Sequence, residues 1–487
     1  MNAATEHYDV IVIGSGAGGA ATTYRLARAG CNVLLIEKGE RLPRDQSTLD
    51  VRRVMALGEF RNREYWTDGR GNRFVPEEYY ALGGKTKWYG AALLRFAPEE
   101  FAPDTDFACF GWPIDYEDMA PYYAEAEALL AVREFAHEPQ LARLIRRIAA
   151  KNECWQVSTL PMGLSPKILE YEHEARHFDG FASALDLKSD AEVSLLSRVE
   201  HLPNVRIVTS LEVVNLTGTA DRATGVACND GRRFQADVVV LAAGALNSPR
   251  LLQRYVGNTG IADWLPGARL IGRYYKCHLN SPMLAFSITR NTDTLRKTAL
   301  FLNKRFPHSS IQTLGWIDGE ILATQLPAAV PSRVTSLLAA HAFGFWLTTE
   351  DGSNAENRVC DASPNGKTPV LDYDVARLPA SMKEHRNLTR SFRAALRRVG
   401  LLAFARPVGL SGTAHACGTL LAGRDPATSV VDVYGRVHGL PNLYVADASV
   451  FPRSARVNPS LSIYAWGLRL ADSLMMVSDR TLMRLGT

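Results

Sequence analysis

The chain has 487 residues, 46% hydrophobic and 22% charged, with a formal net charge of +4. That length admits two or more domains or one large composite domain, and the composition is that of an ordinary globular protein. The small charge comes with no Lys/Arg block, which argues against a nucleic-acid partner. Seven cysteines are scattered with no C-x-x-C pair. Neither a disulfide framework nor a structural zinc site is expected, and no metal ligand set is predicted. Residues 1–9 lack the basic start and apolar middle of a signal peptide. No run approaches the roughly 18 apolar residues of a membrane span. A soluble, cytoplasmic chain with no membrane segment is the expectation.

"YDVIVIGSGAGGAATTYRLARAGCNVLLIEKG", residues 8–39, comes first. "DVIVIG" is the continuous apolar run that a strand buried on both faces requires. Gly14, Gly16 and Gly19 follow as G-x-G-x-x-G. "AATTYRLARAG" then places apolar residues at helical spacing and stops at Gly30. "NVLLIEKG" reads as a second buried strand ending in Glu37, close to the ~20-residue spacing expected of a ribose-binding acid. With all these parts in order, the segment predicts a dinucleotide site rather than a glycine-rich turn in a plain βαβ unit. Across Gly14, Ser15, Gly16, Ala17, Gly18 and Gly19 the backbone can approach a pyrophosphate, and the helix N-terminus offers it unpaired N–H groups. Glu37, followed by Lys38, is expected to accept hydrogen bonds from ribose hydroxyls. A 2′-phosphate would be repelled there, so NADP is disfavoured.

Residues 40–80 read as polar and irregular. "YYALGGKTKWYGAALLRF", 79–96, is a second glycine-rich segment. Residues 101–190 mix proline, aromatics and helical stretches such as "YEDMAPYYAEAEALLAV". "NVRIVTSLEVVNLTG", 204–218, reads as paired strands. "ADVVVLAAGALNSPRLLQ", 236–253, reads as a buried strand that breaks at Ala243-Gly244 into a short helix. Strands near 10, 33, 207 and 240 thus belong to one nucleotide-binding sheet interrupted by long insertions. From about 266 to 405, "HLNSPMLAFSIT", "IQTLGWIDGEIL" and "HAFGFWLTTE" predict an antiparallel sheet. The charged helical run "SMKEHRNLTRSFRAALRRVG" follows, its charges marking a solvated face. "NLYVADAS" and "NPSLSIYAWGLRLADSLMM" return to strand and helix. There is no internal repeat and no low-complexity tract.

The block "HACGTLLAGRDPATSVVDVYGRVHGLPNLYVADASVFPRSARVNPSLSIYAWGLRLAD", 415–472, resembles the glucose–methanol–choline (GMC) oxidoreductase family of FAD-dependent alcohol oxidases and dehydrogenases. "LGGKTKWYGAALLRF", "VVLAAGALNSPRLL" and the N-terminal glycines match in the family's order. "TKWYGAALLRF" and "FWLTTEDGSNAENRV" look most like its bacterial sugar- and polyol-type branch. The resemblance implies an α/β fold (an α+β composite), with a Rossmann-like FAD-binding domain and a discontinuous substrate domain on an antiparallel sheet. FAD-binding parts are expected at 1–100, 191–265 and 406–487, an insertion or substrate cap at 101–190, and the substrate domain at 266–405.

The resemblance also implies oxidation of a CH–OH group to a carbonyl, with the hydride passing to flavin N5. The family's catalytic histidine falls on His415 and its partner on Asn458. Asp447, with Ala448, matches the acid beside the flavin's ribityl and pyrophosphate region, and Val213 matches a backbone position at the adenine. Gly83, Gly84, Thr86, Tyr89, Gly90, Ala243, Gly244, Pro459 and Ser460 fall in the cofactor-contacting blocks. Trp88 stands where several members carry the histidine that binds FAD covalently, so non-covalent FAD is expected. Tyr89 replaces a frequent Asn. The family's cysteine-containing segment is absent from "HFDGFASALDLKSDAE", 177–192.

Taking a proton from a hydroxyl needs a base poised near neutral pH, and histidine is that side chain. Ala414, Ala416 and Gly418 leave room around His415. A satisfied core histidine is the other reading. Spacing alone balances the two, and the resemblance favours the base. Asn458 ahead of Pro459 also reads as a helix N-cap. The role of hydrogen-bond partner to the substrate oxygen is favoured. A helix N-terminus at that point would stabilise negative charge at the flavin's N1–C2=O edge. His438 reads as a turn residue and His278 as a structural residue near the domain junction. The expected substrate is a small-molecule sugar or aminosugar alcohol, placed in secondary metabolism, and the electron acceptor, oxygen or another, stays open. A second reading is an FAD-containing hydroxynitrile lyase with a structural flavin. A third is a non-catalytic flavin-binding module, against which His415 with Asn458 counts.

Overall fold

The computed structural model describes residues 6–151, 154–327, 329–362 and 368–485. Residues 1–5, part of the segment read for a leader, lie outside the described residues. Among the described residues, seventeen strands, numbered along the chain, make three sheets.

The apolar runs of the N-terminal segment become β1 (His7–Ile13) and β2 (Val33–Ile36), whose Ile11, Val12, Leu34 and Leu35 are fully buried. They pair in parallel with each other, with β6 (Val205–Val208) beyond β2 and with β9 (Arg233–Leu241) beyond β1. β7 (Val213–Gly218) and β8 (Ala223–Cys228) continue the sheet antiparallel, and β17 (Leu443–Val445) adds in parallel to the C-terminal end of β9. The helix Ala17–Arg28 covers this sheet and is crossed by the helix that starts at Ser460. The crossing is close enough to demand glycine. A Cβ at Gly467 would lie 2.6 Å from the carbonyl oxygen of Gly18, and one at Gly18 would lie 1.5 Å from that of Ala446, just after β17.

The second sheet has six antiparallel strands in the order β16 (Leu402–Ala405), β10 (Leu279–Phe286), β13 (Ala342–Thr349), β12 (Ser309–Thr313), β11 (Ala299–Leu302), β5 (Gln156–Thr159). Period-2 alternation gives it two faces. Met283, Ala285, Phe301 and Phe345 pack under the charged helix Pro379–Arg398, against Leu388, Phe392 and Leu396. Pro282, Leu284, Phe286, Gln312 and Trp346 line the large cavity. The third sheet is β14 (Arg358–Cys360), β15 (Val370–Asp372), β3 (Trp66–Asp68) and β4 (Arg73–Phe74).

The chain is therefore a mixed α/β protein, as the sequence implies, but three local readings change. Segment 204–218 does not form paired strands: β6 and β7 lie at opposite edges of the first sheet. The tight-turn chemistry sits later, at Asn229-Asp230-Gly231, where Gly231 takes φ 88° and closes the β8–β9 hairpin. Residues 40–80 are not wholly irregular, because β3 and β4 form a hairpin there. The stretch "IQTLGWIDGEIL" stops being strand at Thr313: Asp318 Oδ1 accepts from Ile321 N–H (2.8 Å) and caps the short helix Gly319–Ala323. The seven cysteines are all free. No helix among the described residues is long and apolar enough to cross a membrane.

Candidate active site

A cavity of ≈ 1350 Å³ runs from the glycine loop after β1 to the face of the six-stranded sheet that carries Leu284, Gln312 and Trp346. Every residue of the expected cofactor set lines it except Gly19 and Gly83. Gly19 instead packs helix against sheet, since a Cβ there would lie 2.0 Å from Gly14 O. Gly83 donates its N–H to Ser15 Oγ at 2.9 Å.

The N-terminus of the helix Ala17–Arg28 has no side-chain cap and no acidic residue in its first turn, and a Cβ at Gly16 would meet nothing within 4 Å. Free N–H groups and open space beside a positive dipole end suit a pyrophosphate. Glu37, buried at the end of β2, accepts from Ser15 N–H (3.0 Å), Ser15 Oγ–H (2.6 Å) and Gly39 N–H (2.9 Å). Burial raises its pKa against those three hydrogen bonds. Asp447, also buried and raised by burial, accepts from Gly244 N–H (2.8 Å), from Ser248 Oγ–H and from Ser449 N–H (2.9 Å). Lys38 pairs with Glu212 at 2.8 Å. Thr86 Oγ1 donates to Gly83 O, and Tyr89 OH donates to Ser189 O. Trp88 stacks on Tyr79 at 4.9 Å, and its buried Nε1 has no hydrogen-bond partner. An orphaned indole N–H on the cavity wall, the open glycine cradle and two buried carboxylates fit a flavin dinucleotide.

At the other end of the cavity, two segments run antiparallel. Lys276 N–H donates to Cys417 O and Cys417 N–H to Lys276 O, each at 2.9 Å. This pairing sets His278 beside His415, with the two Nδ1 atoms 2.9 Å apart and the rings perpendicular (88°). His278 Nε2 faces the carbonyl oxygens of Ala455 (2.8 Å) and Ser454 (3.1 Å). His415 Nε2 lies 3.4 Å from Asn458 Nδ2 on the cavity side. Burial, then His278, then the ammonium groups of Lys297 and Lys85 hold the His415 pKa well below the ordinary histidine value.

Pro459, not Asn458, takes the cap position of the following helix, so the alternative reading of Asn458 as N-cap does not hold. Pro459 O accepts from Ile463 N–H (3.0 Å), so the helix begins after Asn458. The Asn458 side chain faces inward instead, with Oδ1 accepting from Gln312 Nε2 on β12. His438 sits in a loop, 2.9 Å from Ser429 Oγ. Gln312 and the Lys297–Asp179 pair (2.7 Å) at the cavity, and His278 behind His415, carry no local sequence signal of such a place. Among the described residues, one group has metal-ligand spacing: Cys109, His308 and Glu350. There the Arg453 guanidinium already donates to both Glu350 oxygens, which opposes a second cation.

A mostly parallel sheet with a dinucleotide cradle, in a cavity that reaches His415 and an antiparallel sheet, fits a flavin-dependent oxidoreductase. The family description "FAD dependent oxidoreductase" matches residues 9–261, more than half of the chain, and "GMC oxidoreductase" matches 356–467. The chain belongs to the FAD-dependent oxidoreductases, and its C-terminal part carries the GMC oxidoreductase match. It is 28% identical to paromamine 6'-oxidase of Streptomyces fradiae, over 96% of this chain and 91% of that protein. It is 27% identical to 6'''-hydroxyparomomycin C oxidase of Streptomyces lividus, over 97% and 92%. In fold it is similar to pyridoxine 4-oxidase from Mesorbium loti, with a TM-score of 0.66 at 18% identity over 96% of this chain and 99% of that one.

Proposed function

We propose that the chain oxidises the CH–OH group of a sugar-type alcohol, with His415 as general base, Asn458 as the partner of the substrate oxygen and FAD held non-covalently. The observation that carries the proposal is the pair of side-chain nitrogens at the cavity floor, His415 Nε2 and Asn458 Nδ2, 3.4 Å apart. A hydroxyl that bridges them from the cavity side, in place of their direct contact, donates to His415 Nε2 and accepts from Asn458 Nδ2. FAD, when bound, supplies the acceptor for the hydride that leaves the same carbon. The depressed pKa of His415 keeps its ring neutral and ready to take the hydroxyl proton. The glycine loop, Glu37, Asp447 and the backbone at Gly244 would hold the dinucleotide. Trp88 leaves no histidine at the position of covalent attachment, which supports non-covalent binding.

The sugar-type substrate is supported by the two Streptomyces relatives, named for oxidation of paromamine and 6'''-hydroxyparomomycin C. It is also supported by Gln312 and the Lys297–Asp179 pair on the cavity wall, which can bind further hydroxyl or amino groups. The test is anaerobic mixing of the yellow protein with sugar and aminosugar alcohols. Oxidation bleaches the flavin, whereas a lyase leaves it oxidised. A panel in which no CH–OH donor bleaches it contradicts the proposal. Acid precipitation should leave intact FAD in the supernatant, and colour that stays with the precipitate contradicts non-covalent binding.

A further inference from the structure

We infer that His278 is a positioning residue that holds His415 in the Nδ1–H tautomer, leaving the lone pair of His415 Nε2 facing the cavity. This rests on the reading of His415 as the base and adds what sets its direction. Carbonyl oxygens only accept hydrogen bonds. Because Ala455 O and Ser454 O lie 2.8 and 3.1 Å from His278 Nε2, that nitrogen carries the hydrogen. In a neutral ring His278 Nδ1 is then the acceptor. The 2.9 Å contact between the two Nδ1 atoms needs one donor, and His415 Nδ1–H supplies it. His415 Nε2 is left without a hydrogen.

The cavity side gives the same direction independently. Gln312 Nε2 donates to Asn458 Oδ1, which turns Asn458 Nδ2–H toward His415 Nε2, an atom that must accept. Every donor in the row from Gln312 through Asn458, His415 and His278 to the two carbonyls points the same way.

The protein holds this arrangement in strained backbone. His278 and Ala455, the residue whose carbonyl it meets, both have left-handed φ, 62° and 60°. The acid pair that ends β13 fixes both sides. Glu350 Oε1 accepts from Ala455 N–H (3.1 Å), Asp351 Oδ1 from Ser454 Oγ–H (2.8 Å) and Asp351 Oδ2 from Cys277 N–H (2.7 Å).

The experiment is ¹⁵N NMR of the holoenzyme labelled at histidine, with His415 assigned by the signals lost in His415→Ala. The expected result is a protonated Nδ1 and an unprotonated Nε2 in wild type, and a mixture of tautomers in His278→Leu. His278→Asn should restore the single tautomer, because its Oδ1 can accept and asparagine tolerates a left-handed backbone. Anaerobic flavin reduction should follow the same order. The limiting rate falls at least tenfold in His278→Leu, the alcohol concentration for half-saturation changes less, and the Asn variant recovers most of the loss. Flavin absorbance and melting temperature check that each variant is folded and loaded. A wild-type His415 carrying its hydrogen on Nε2, or a His278→Leu spectrum with the wild-type tautomer, overturns the inference. His415→Ala reducing its flavin at the wild-type rate would instead overturn the assignment of the base, with the tautomer result unaffected.

Discussion

Between the ordinary histidine value of 6.5 and the depressed one of His415 lies a span of pH in which a solvated histidine is charged and this ring is neutral. The base works only unprotonated. Flavin reduction by the alcohol should therefore stay flat through neutral pH and decline only on the acid side of 6.5. Rapid anaerobic mixing at several pH values measures this, and a midpoint at or above 6.5 contradicts it. Glu37 works at the same scale. Its carboxylate holds the N–H groups of Ser15 and Gly39 while lining the cavity, so Glu37→Ala leaves both without that partner, at a cost of about 1–3 kcal/mol each when buried. FAD should dissociate more readily from this variant, as equilibrium dialysis would show. Its flavin-reduction rate at full occupancy should stay near that of wild type, and a large drop would move Glu37 into the chemistry.

The helix Pro379–Arg398 is joined to the six-stranded sheet by a buried polar contact as well as by its apolar stripe. His385 meets Ser281 Oγ at 2.8 Å and Thr349 Oγ1 at 2.9 Å, and burial lowers its pKa to about 4. In the unfolded chain this histidine binds a proton below 6.5, while the folded one stays neutral until about 4. Folding stability should thus fall as pH drops through that window, by up to about 3 kcal/mol. Urea unfolding of wild type and His385→Gln between pH 7 and pH 4 tests this. An unchanged pH slope in the variant contradicts it.

Elements of this kind were legible in the sequence to different degrees. β1, the following helix and β2 show plainly, because a doubly covered parallel strand must be continuously apolar and the glycines fall where backbone meets backbone. β6 and β7 do not, because two strand-like runs close in sequence look like a hairpin whichever neighbours they find. His278 was hidden for a deeper reason. Its partner lies 137 residues away, and only the Lys276–Cys417 pairing brings the two rings together.

At the scale of the whole molecule, the two large sheets are tied near the site by one buried ion cluster. Arg453, in the segment after β17, donates to both oxygens of Glu350 at the end of β13, and His308 connects Glu350 to Asp104. Against its burial, Arg453 and His308 hold the Glu350 pKa down to about 2. This contribution to stability is present above the ordinary glutamate value of 4.5 and is lost as pH falls from there toward about 2. Arg453→Met would strand a buried carboxylate and should cost about 3–5 kcal/mol in denaturant unfolding. A cost below about 1 kcal/mol would show that the cluster does not hold the sheets together. The same cluster fixes the Ser454–Ala455 carbonyls, so it links the stability of the assembly to the direction of the base. Those links all converge on His415. The most direct test is the rate of anaerobic flavin reduction by a reactive alcohol in His415→Ala at full FAD occupancy. The expected rate is lowered about 10²–10⁴-fold, with the acid-side pH dependence abolished. A variant that reduces its flavin at the wild-type rate with the wild-type pH profile would contradict it.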